Sequence, residues 1–129
     1  MNPKNTLISA VITSFSLICA PLALASGDDH APKFGGIVAE GKAFDAELIA
    51  KPELITVHVR DHGKPMPTQG ARGKITMLTG ANKTVTELSP AGDSRMEAKG
   101  QFNVSMGTKA VVEITLQGKK PSTLRFVIK

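Results

Sequence analysis

The residues best suited to chemistry are three histidines that lie near carboxylates in the sequence. His30 follows Asp28 by two positions, and His58 and His62 lie on either side of Asp61. Imidazole nitrogen and carboxylate oxygen together favour borderline divalent ions such as copper(II), zinc or nickel. These five side chains therefore form a candidate set of metal ligands.

A methionine close to these histidines widens the choice of metal. Met66 follows His62 by four positions and lies between two prolines, and its thioether would suit copper(I). A plainer interpretation stays open, because histidines on an exposed strand face or in a turn are commonly solvated residues without a ligand role, and their spacing matches no tight zinc signature. Three other methionines fall in strand patterns and are expected in the core: Met77, Met96 and Met106.

Nothing in the sequence predicts catalysis. No serine has the setting of an activated nucleophile, and no glycine-rich run opens a helix that could cradle a phosphate. Asp45 and Glu47 share one strand face, but charges at this spacing are typical of a half-buried strand whose polar face meets water. We therefore expect a protein that is not an enzyme.

The net charge of +5 does not predict a nucleic-acid partner. The basic residues are spread along the chain, and tryptophan and tyrosine are absent, so the aromatic platforms on which bases stack are missing. The charge is better interpreted as a solvated surface with a weak preference for anionic partners.

Residues 1–25 have the features of a secretory signal peptide. Lys4 supplies the positive charge, residues 7–20 are apolar and uncharged, and Ala23-Leu24-Ala25 offers small residues to signal peptidase. The apolar run is short for a membrane span. Cleavage would remove Cys19, the only cysteine, so we expect a periplasmic domain without disulfides and without a stable membrane anchor.

A second cleavage site changes the metal chemistry. Ala25-Ser26-Gly27 also has small residues, and cleavage after Gly27 would leave Asp28-Asp29-His30 at the new N-terminus. A free amine with histidine in third place can bind copper(II) or nickel(II) through four nitrogens in a plane. With cleavage after Ala25, residues 26–33 are predicted to be a flexible arm, because they contain no apolar residue larger than alanine.

Residues 34–129 are predicted to form one all-β domain. Apolar and polar residues alternate in Ile55 to Arg60, Val111 to Leu116 and Leu124 to Ile128, with shorter patterns in between. Turn-forming sequences separate these runs at regular spacing, and no convincing helical pattern is present. Strands at this spacing predict an antiparallel sandwich or barrel. The Gly63-Lys64-Pro65 turn, followed by a new strand from Gly70 to Met77, resembles immunoglobulin-like and transthyretin-like modules, and this resemblance implies a β-sandwich. The predicted strands include Phe44–Leu48, Ile55–Arg60, Lys74–Thr79, Lys83–Leu88, Arg95–Ala98, Phe102–Met106, Val111–Leu116 and Leu124–Ile128.

Four segments resemble a group of small proteobacterial periplasmic proteins. They are His30-Ala-Pro-Lys-Phe-Gly-Gly-Ile-Val-Ala-Glu, Phe44-Asp-Ala-Glu-Leu-Ile-Ala-Lys-Pro, Val57-His-Val-Arg-Asp-His-Gly-Lys-Pro and Gly118-Lys-Lys-Pro. Genes of that group tend to lie beside tripartite heavy-metal efflux systems. The resemblance implies periplasmic handling of copper-like ions with an efflux adaptor as partner. The chain also resembles copper-resistance periplasmic carriers in its expected immunoglobulin-like fold, but it lacks their methionine-rich loop.

Two hypotheses therefore stand. In the first, the domain binds or passes a copper or zinc ion and assists an efflux system. In the second, it is a metal-free interaction module that binds another envelope protein through a sheet edge or through the face around Gly63-Lys64-Pro65. Convergence of His58 and His62 with His30 or Met66 would favour the first.

Overall fold

Alternation of apolar and polar residues produces an all-β structure in residues 30–129, the part of the chain that the computed structural model describes. The predicted leader, both predicted cleavage sites, Asp28 and residues 26–29 of the predicted arm lie outside these residues. No α-helix occurs between residues 30 and 129, as the sequence pattern predicts. In the same range, no helix has the length and apolar composition needed to cross a membrane.

The described residues contain nine strands, most of which follow the predicted runs. Their bounds are β1 Ile37–Glu40, β2 Asp45–Ala50, β3 Leu54–Asp61, β4 Lys64–Pro65, β5 Arg72–Thr79, β6 Asn82–Pro90, β7 Arg95–Lys99, β8 Lys109–Thr115 and β9 Ser122–Val127.

Every neighbouring pair of strands is antiparallel, and the sheet is rolled into a nearly closed, barrel-like form. The strand order is β1-β2-β3-β7-β6-β5-β8-β9, with the two-residue β4 paired to the end of β3. β1 and β9, the two ends of this order, lie close to each other. The rolled sheet thereby encloses one continuous core.

Side chains of alternate strand residues fill this core. Val57 and Val59 of β3 and Val112 and Ile114 of β8 are buried, as their alternation predicts. Met77 and Met96 are also buried, which confirms their predicted place in the core. The largest fully buried apolar side chains are Leu48, Ile55, Ile75, Met96, Ile114 and Leu124.

Two parts of the chain differ from the strand prediction. Residues 100–108 contain no strand; Phe102 and Val104 pack against the core, but Met106 is 84% exposed, so its predicted burial was wrong. Conversely, β1 was not predicted, because its four residues are too few for a clear alternation. It forms by pairing with β2, from Ile37 opposite Leu48 to Glu40 opposite Asp45.

β2 is buried on both faces, which the alternating pattern did not indicate. Asp45 is 6% exposed and Glu47 is fully buried, although the sequence predicts solvated charges at both positions. The apolar side chains of β2 face the core, whereas residues 30–36 lie over the opposite face and bind Glu47. The expected solvent on that face is therefore replaced by the chain itself.

Candidate metal-binding site

The candidate site lies at one end of the sheet, where β1, β2 and β3 meet. Register brings Glu40 opposite Asp45 and Asp45 opposite Arg60, so three charged residues of neighbouring strands lie in one row. Asp61 ends β3 and leads into a tight turn at His62 and Gly63. Residues 30–33 cross this end of the sheet.

His30 is held by carboxylates of this row. Its Nδ1 lies 2.8 Å from Oδ2 of Asp45 and 3.5 Å from Oε1 of Glu40. An ionised carboxylate can only accept a hydrogen bond, so Nδ1 of His30 donates to Asp45; in the neutral form of the ring, Nε2 then carries the lone pair. Residues 30–33 were predicted to be part of a flexible arm for want of apolar anchors. In the structure this stretch makes polar contacts instead.

His62 is held in the same manner on the adjoining turn. Its Nδ1 lies 2.6 Å from Oδ1 of Asp61, and in the neutral form of the ring this bond leaves Nε2 as the acceptor. The turn has a two-residue loop, with φ of 52° at His62 and 83° at Gly63, between the paired residues Asp61 and Lys64. Positive φ at both loop positions is typical of type I′ hairpins, where asparagine or glycine is usual at the first position. A histidine there is unusual.

Lys33 joins the two parts of the site. Its Nζ donates a hydrogen bond of 2.9 Å to the carbonyl oxygen of Gly63, so residues 30–33 contact the turn that carries His62. The ring centres of His30 and His62 consequently lie 6.4 Å apart, with 60° between the ring planes. Two imidazoles that are 32 positions apart in the sequence thus come together on the surface.

The separation of the ring centres is close to that of two imidazoles that share one metal ion. With a nitrogen–metal bond of about 2.0 Å and a further ~1 Å from nitrogen to ring centre, two rings on opposite sides of one ion lie about 6 Å apart. A histidine ligand usually donates its other ring N–H to a carboxylate, which fixes its tautomer and orientation. Asp45 and Asp61 make such bonds to His30 and His62.

No protein-family model, curated protein or solved structure matches the chain.

The candidate ligands that the structure brings together between residues 30 and 129 are the two imidazoles of His30 and His62. In that range no group of three or more histidine, cysteine, aspartate or glutamate side chains is placed to hold one metal ion. The carboxylates of Asp45 and Asp61 contact the Nδ1 atoms, so in this arrangement they orient the imidazoles. Asp28, the remaining carboxylate of the predicted ligand set, lies outside the described residues.

His58 is placed differently from the sequence prediction. Instead of facing solvent, its ring is half-buried and stacks on Phe34, with ring centres 3.8 Å apart and 13° between the planes. Burial lowers the pKa of His58 below its ordinary value; the carboxylates of Glu47 and Glu97 raise it by smaller amounts, and the cations of Arg95 and Arg60 lower it further. The structure pairs His58 with Phe34, whereas His62 is paired with His30.

Met66 is also engaged elsewhere. It follows β4, its backbone N–H donates to the carbonyl oxygen of Val59 at 3.0 Å, and its side chain packs against the core. Its exposed surface lines a groove of about 560 Å³ together with Pro65, Pro67, Gln69, Pro90 and residues 92–94. A role as a further ligand would require its side chain to leave the core.

Glu47 is the site residue that sequence reasoning missed. Its carboxylate accepts hydrogen bonds from the backbone N–H groups of Lys33, Phe34 and Gly36, at 2.7, 2.8 and 2.8 Å. Burial raises the pKa of Glu47, but these three bonds and the Arg60 charge together bring it below its ordinary value. The carboxylate is therefore a buried anion.

Arg60 completes the attachment of residues 30–36. One terminal nitrogen lies 3.4 Å from Oε1 of Glu47, and the other donates to the carbonyl oxygen of Ala31 at 2.6 Å. Nε of Arg60 is buried and has no hydrogen-bond partner among the described residues. Gly36 is the feature of the sequence that indicates the docking of residues 30–36. A Cβ at this position would overlap the carbonyl oxygen of Leu48, so glycine is needed for this close approach.

Proposed function

We propose that the protein is an exported metal-binding protein, not an enzyme, that holds one copper-like or zinc ion between His30 and His62. The observation that carries this proposal is the pairing of two imidazoles whose Nδ1 atoms are already bound by carboxylates, which leaves both Nε2 atoms free for an ion. Imidazole suits copper and zinc, so the donor set fits these ions better than magnesium or calcium.

Exposure of the site supports a role in transfer rather than permanent storage. His62 is 82% exposed and His30 is 39% exposed, so an acceptor protein has access to an ion bound between them. The proposed location is the periplasm, on the strength of the predicted leader. The proposed acceptor is an adaptor of a heavy-metal efflux system, which rests on the resemblance of the four sequence segments.

We further propose that the rolled sheet is an immunoglobulin-like sandwich of two layers. β6 changes partner along its length: residues 82–88 pair with β5, whereas Ser89 and Pro90 pair with β7. A strand that passes from one sheet to another at a bend is a usual way to connect two packed layers. The layers would be β1-β2-β3-β7 and β6-β5-β8-β9.

Calorimetric titration of the exported, processed protein with copper(II) and zinc tests the metal-binding function. We expect binding at micromolar or tighter affinity, which His62→Ala and His30→Ala each weaken. Glu113→Ala is the control, because it removes a potential carboxylate ligand in the exposed pair with Lys74 on another part of the sheet, and it should leave the affinity unchanged. Absence of heat above buffer for both ions would refute the proposal. N-terminal sequencing of the same preparation separates a start at Ser26 from a start at Asp28.

The groove beside Met66 favours a second candidate, a metal-free interaction module. Pro65, Pro67 and Pro90 line the groove together with Asp93, so it offers a fixed, partly apolar surface to an extended segment of an envelope protein. In this case Met66→Asp would abolish recovery of a cross-linked envelope partner, whereas His30→Ala and His62→Ala would not. The opposite pattern would favour the metal site.

A further inference from the structure

Residues 30–36 are attached to the sheet almost wholly by polar contacts. Pro32, Lys33 and Gly35 are exposed, and Phe34 remains 57% exposed even though it stacks on His58. Apolar burial therefore contributes little to the position of this segment. Its attachment depends on hydrogen bonds to the side chains beneath it.

Glu47 and Arg60 supply most of these bonds and lie where water does not reach. Their side chains are 0% and 4% exposed, and they bind four backbone groups of residues 31–36. Release of the segment would open this buried pair to water and break all four bonds together. Hydrogen bonds to charged groups are stronger than those between neutral groups, and all four bonds depend on the same two side chains, so the segment is expected to dock or detach as a unit.

We infer that Glu47 and Arg60 form a clamp that controls the affinity of the metal site by docking residues 30–36. This inference rests on the proposed function. His30 lies at the start of the docked segment and reaches the pair geometry with His62 only while the segment is in place. Glu47 and Arg60 are thus positioning residues, which act on the ion through His30.

Docking of residues 30–36 and binding of the metal ion must each favour the other. If docking raises the affinity for the ion, then the ion raises the population of the docked segment by the same factor. The apparent affinity of a protein whose competent state is partly populated falls in proportion to that population. A weakened clamp should therefore lower metal affinity, and metal should restore docking.

Amide hydrogen exchange in the processed protein tests the clamp without metal. In Glu47→Gln the exchange of the Lys33, Phe34 and Gly36 amides should become at least about tenfold faster, because their acceptor loses its charge. Glu113→Gln, on the exposed outer side of β8, is the matched control and should leave these amides unchanged. Unchanged exchange in Glu47→Gln would overturn the inference.

Zinc then tests the coupling. We expect Glu47→Gln to weaken zinc binding by about fivefold or more. Saturating zinc should slow exchange of the three amides in Glu47→Gln, but not in the double variant Glu47→Gln/His62→Ala. Faster exchange in Glu47→Gln with unaltered zinc affinity would refute the coupling. Absence of zinc binding by the parent protein would refute the proposed function, whereas the metal-free exchange result would still decide whether the clamp exists.

A second variant covers the case in which Glu47→Gln does not fold. Gly36→Ala keeps the buried ion pair but places a Cβ against the carbonyl oxygen of Leu48 and the side chain of Ile49, so the segment cannot dock in its present position. It should reproduce both the faster exchange of Lys33 and Phe34 and the loss of zinc affinity. Parent-like behaviour of Gly36→Ala in both measurements would contradict the clamp.

Discussion

At the scale of single residues, the Glu47 carboxylate carries the strongest physical consequence in the structure. A carboxylate buried without partners would take up a proton, because burial disfavours the charged form. Glu47 instead accepts three backbone hydrogen bonds and lies beside Arg60, and its pKa is lowered. The anion thus organises the backbone of residues 33–36 around itself.

This arrangement predicts a pH dependence of stability. Since the pKa of Glu47 is lower in the folded than in the unfolded protein, the ionised group stabilises the fold fully above pH 4.5, and this contribution is lost as the pH falls through the lower, folded value. At pH 7, Glu47→Gln should cost roughly 3–5 kcal/mol, because Arg60 is left buried without its partner anion.

Urea unfolding of the parent and of Glu47→Gln at several pH values between 7 and 3 measures the effect. The difference between their free energies of unfolding should shrink as the pH falls below 4.5. A difference that stays constant over this range would mean that the ionisation of Glu47 does not contribute to stability.

At the scale of elements, the β3–β4 hairpin combines a structural cost with the proposed function. His62 adopts a φ of 52° in the left-handed region, which costs an ordinary residue about 1–2 kcal/mol and which asparagine and glycine tolerate better. Strained backbone of this kind tends to occur at functional sites. The turn thus presents the imidazole of His62 beside His30 at the expense of some stability.

His62→Asn should therefore stabilise the protein while it removes metal binding. We expect a gain of up to about 1 kcal/mol in the free energy of unfolding, because Asn-Gly is the preferred pair for this turn type. Loss of the exposed bond to Asp61 should offset little of this gain. Chemical denaturation measures the change. A less stable His62→Asn protein would show that the imidazole contributes to folding and not only to a site.

The elements also show how far sequence reasoning reaches. The predicted runs that include Val57, Met96, Val112 and Leu124 became strands with these residues in the core, because a half-buried strand leaves a period of two in its own sequence. Contacts between distant segments leave no such period. The placement of Glu47 beneath residues 33–36 depends on residues more than ten positions away, so it was inaccessible to local patterns.

The candidate site was also predictable only in those parts that depend on local sequence. His30 and His62 were selected by residue type, and the turn at His62 by its glycine and proline neighbours. Their approach to 6.4 Å depends on the path of residues 30–36 across the sheet. The predicted exposure of His58 did not anticipate Phe34, which is 24 positions earlier in the sequence and stacks on its ring.

At the scale of the whole molecule, β6 and β7 connect the part of the sheet that carries the histidines to the part formed by β5, β8 and β9. Met96 of β7 lies opposite Val57 of β3 on one side and Pro90 of β6 on the other, and it is fully buried. The core is continuous across this connection. We therefore expect both parts of the sheet to unfold together.

Met96→Ala tests this cooperativity. The cavity should cost about 2–5 kcal/mol, because a buried methionine loses its packing partners. If the sheet unfolds as a unit, the free energies measured from exchange of the Val59 amide in β3 and the Val112 amide in β8 should fall by equal amounts. Met106→Ala is the matched control: that side chain is 84% exposed, and its removal should change stability by less than about 0.5 kcal/mol. A fall confined to Val59 would mean that the part of the sheet carrying His30 and His62 opens independently, and an ion would then stabilise only that part.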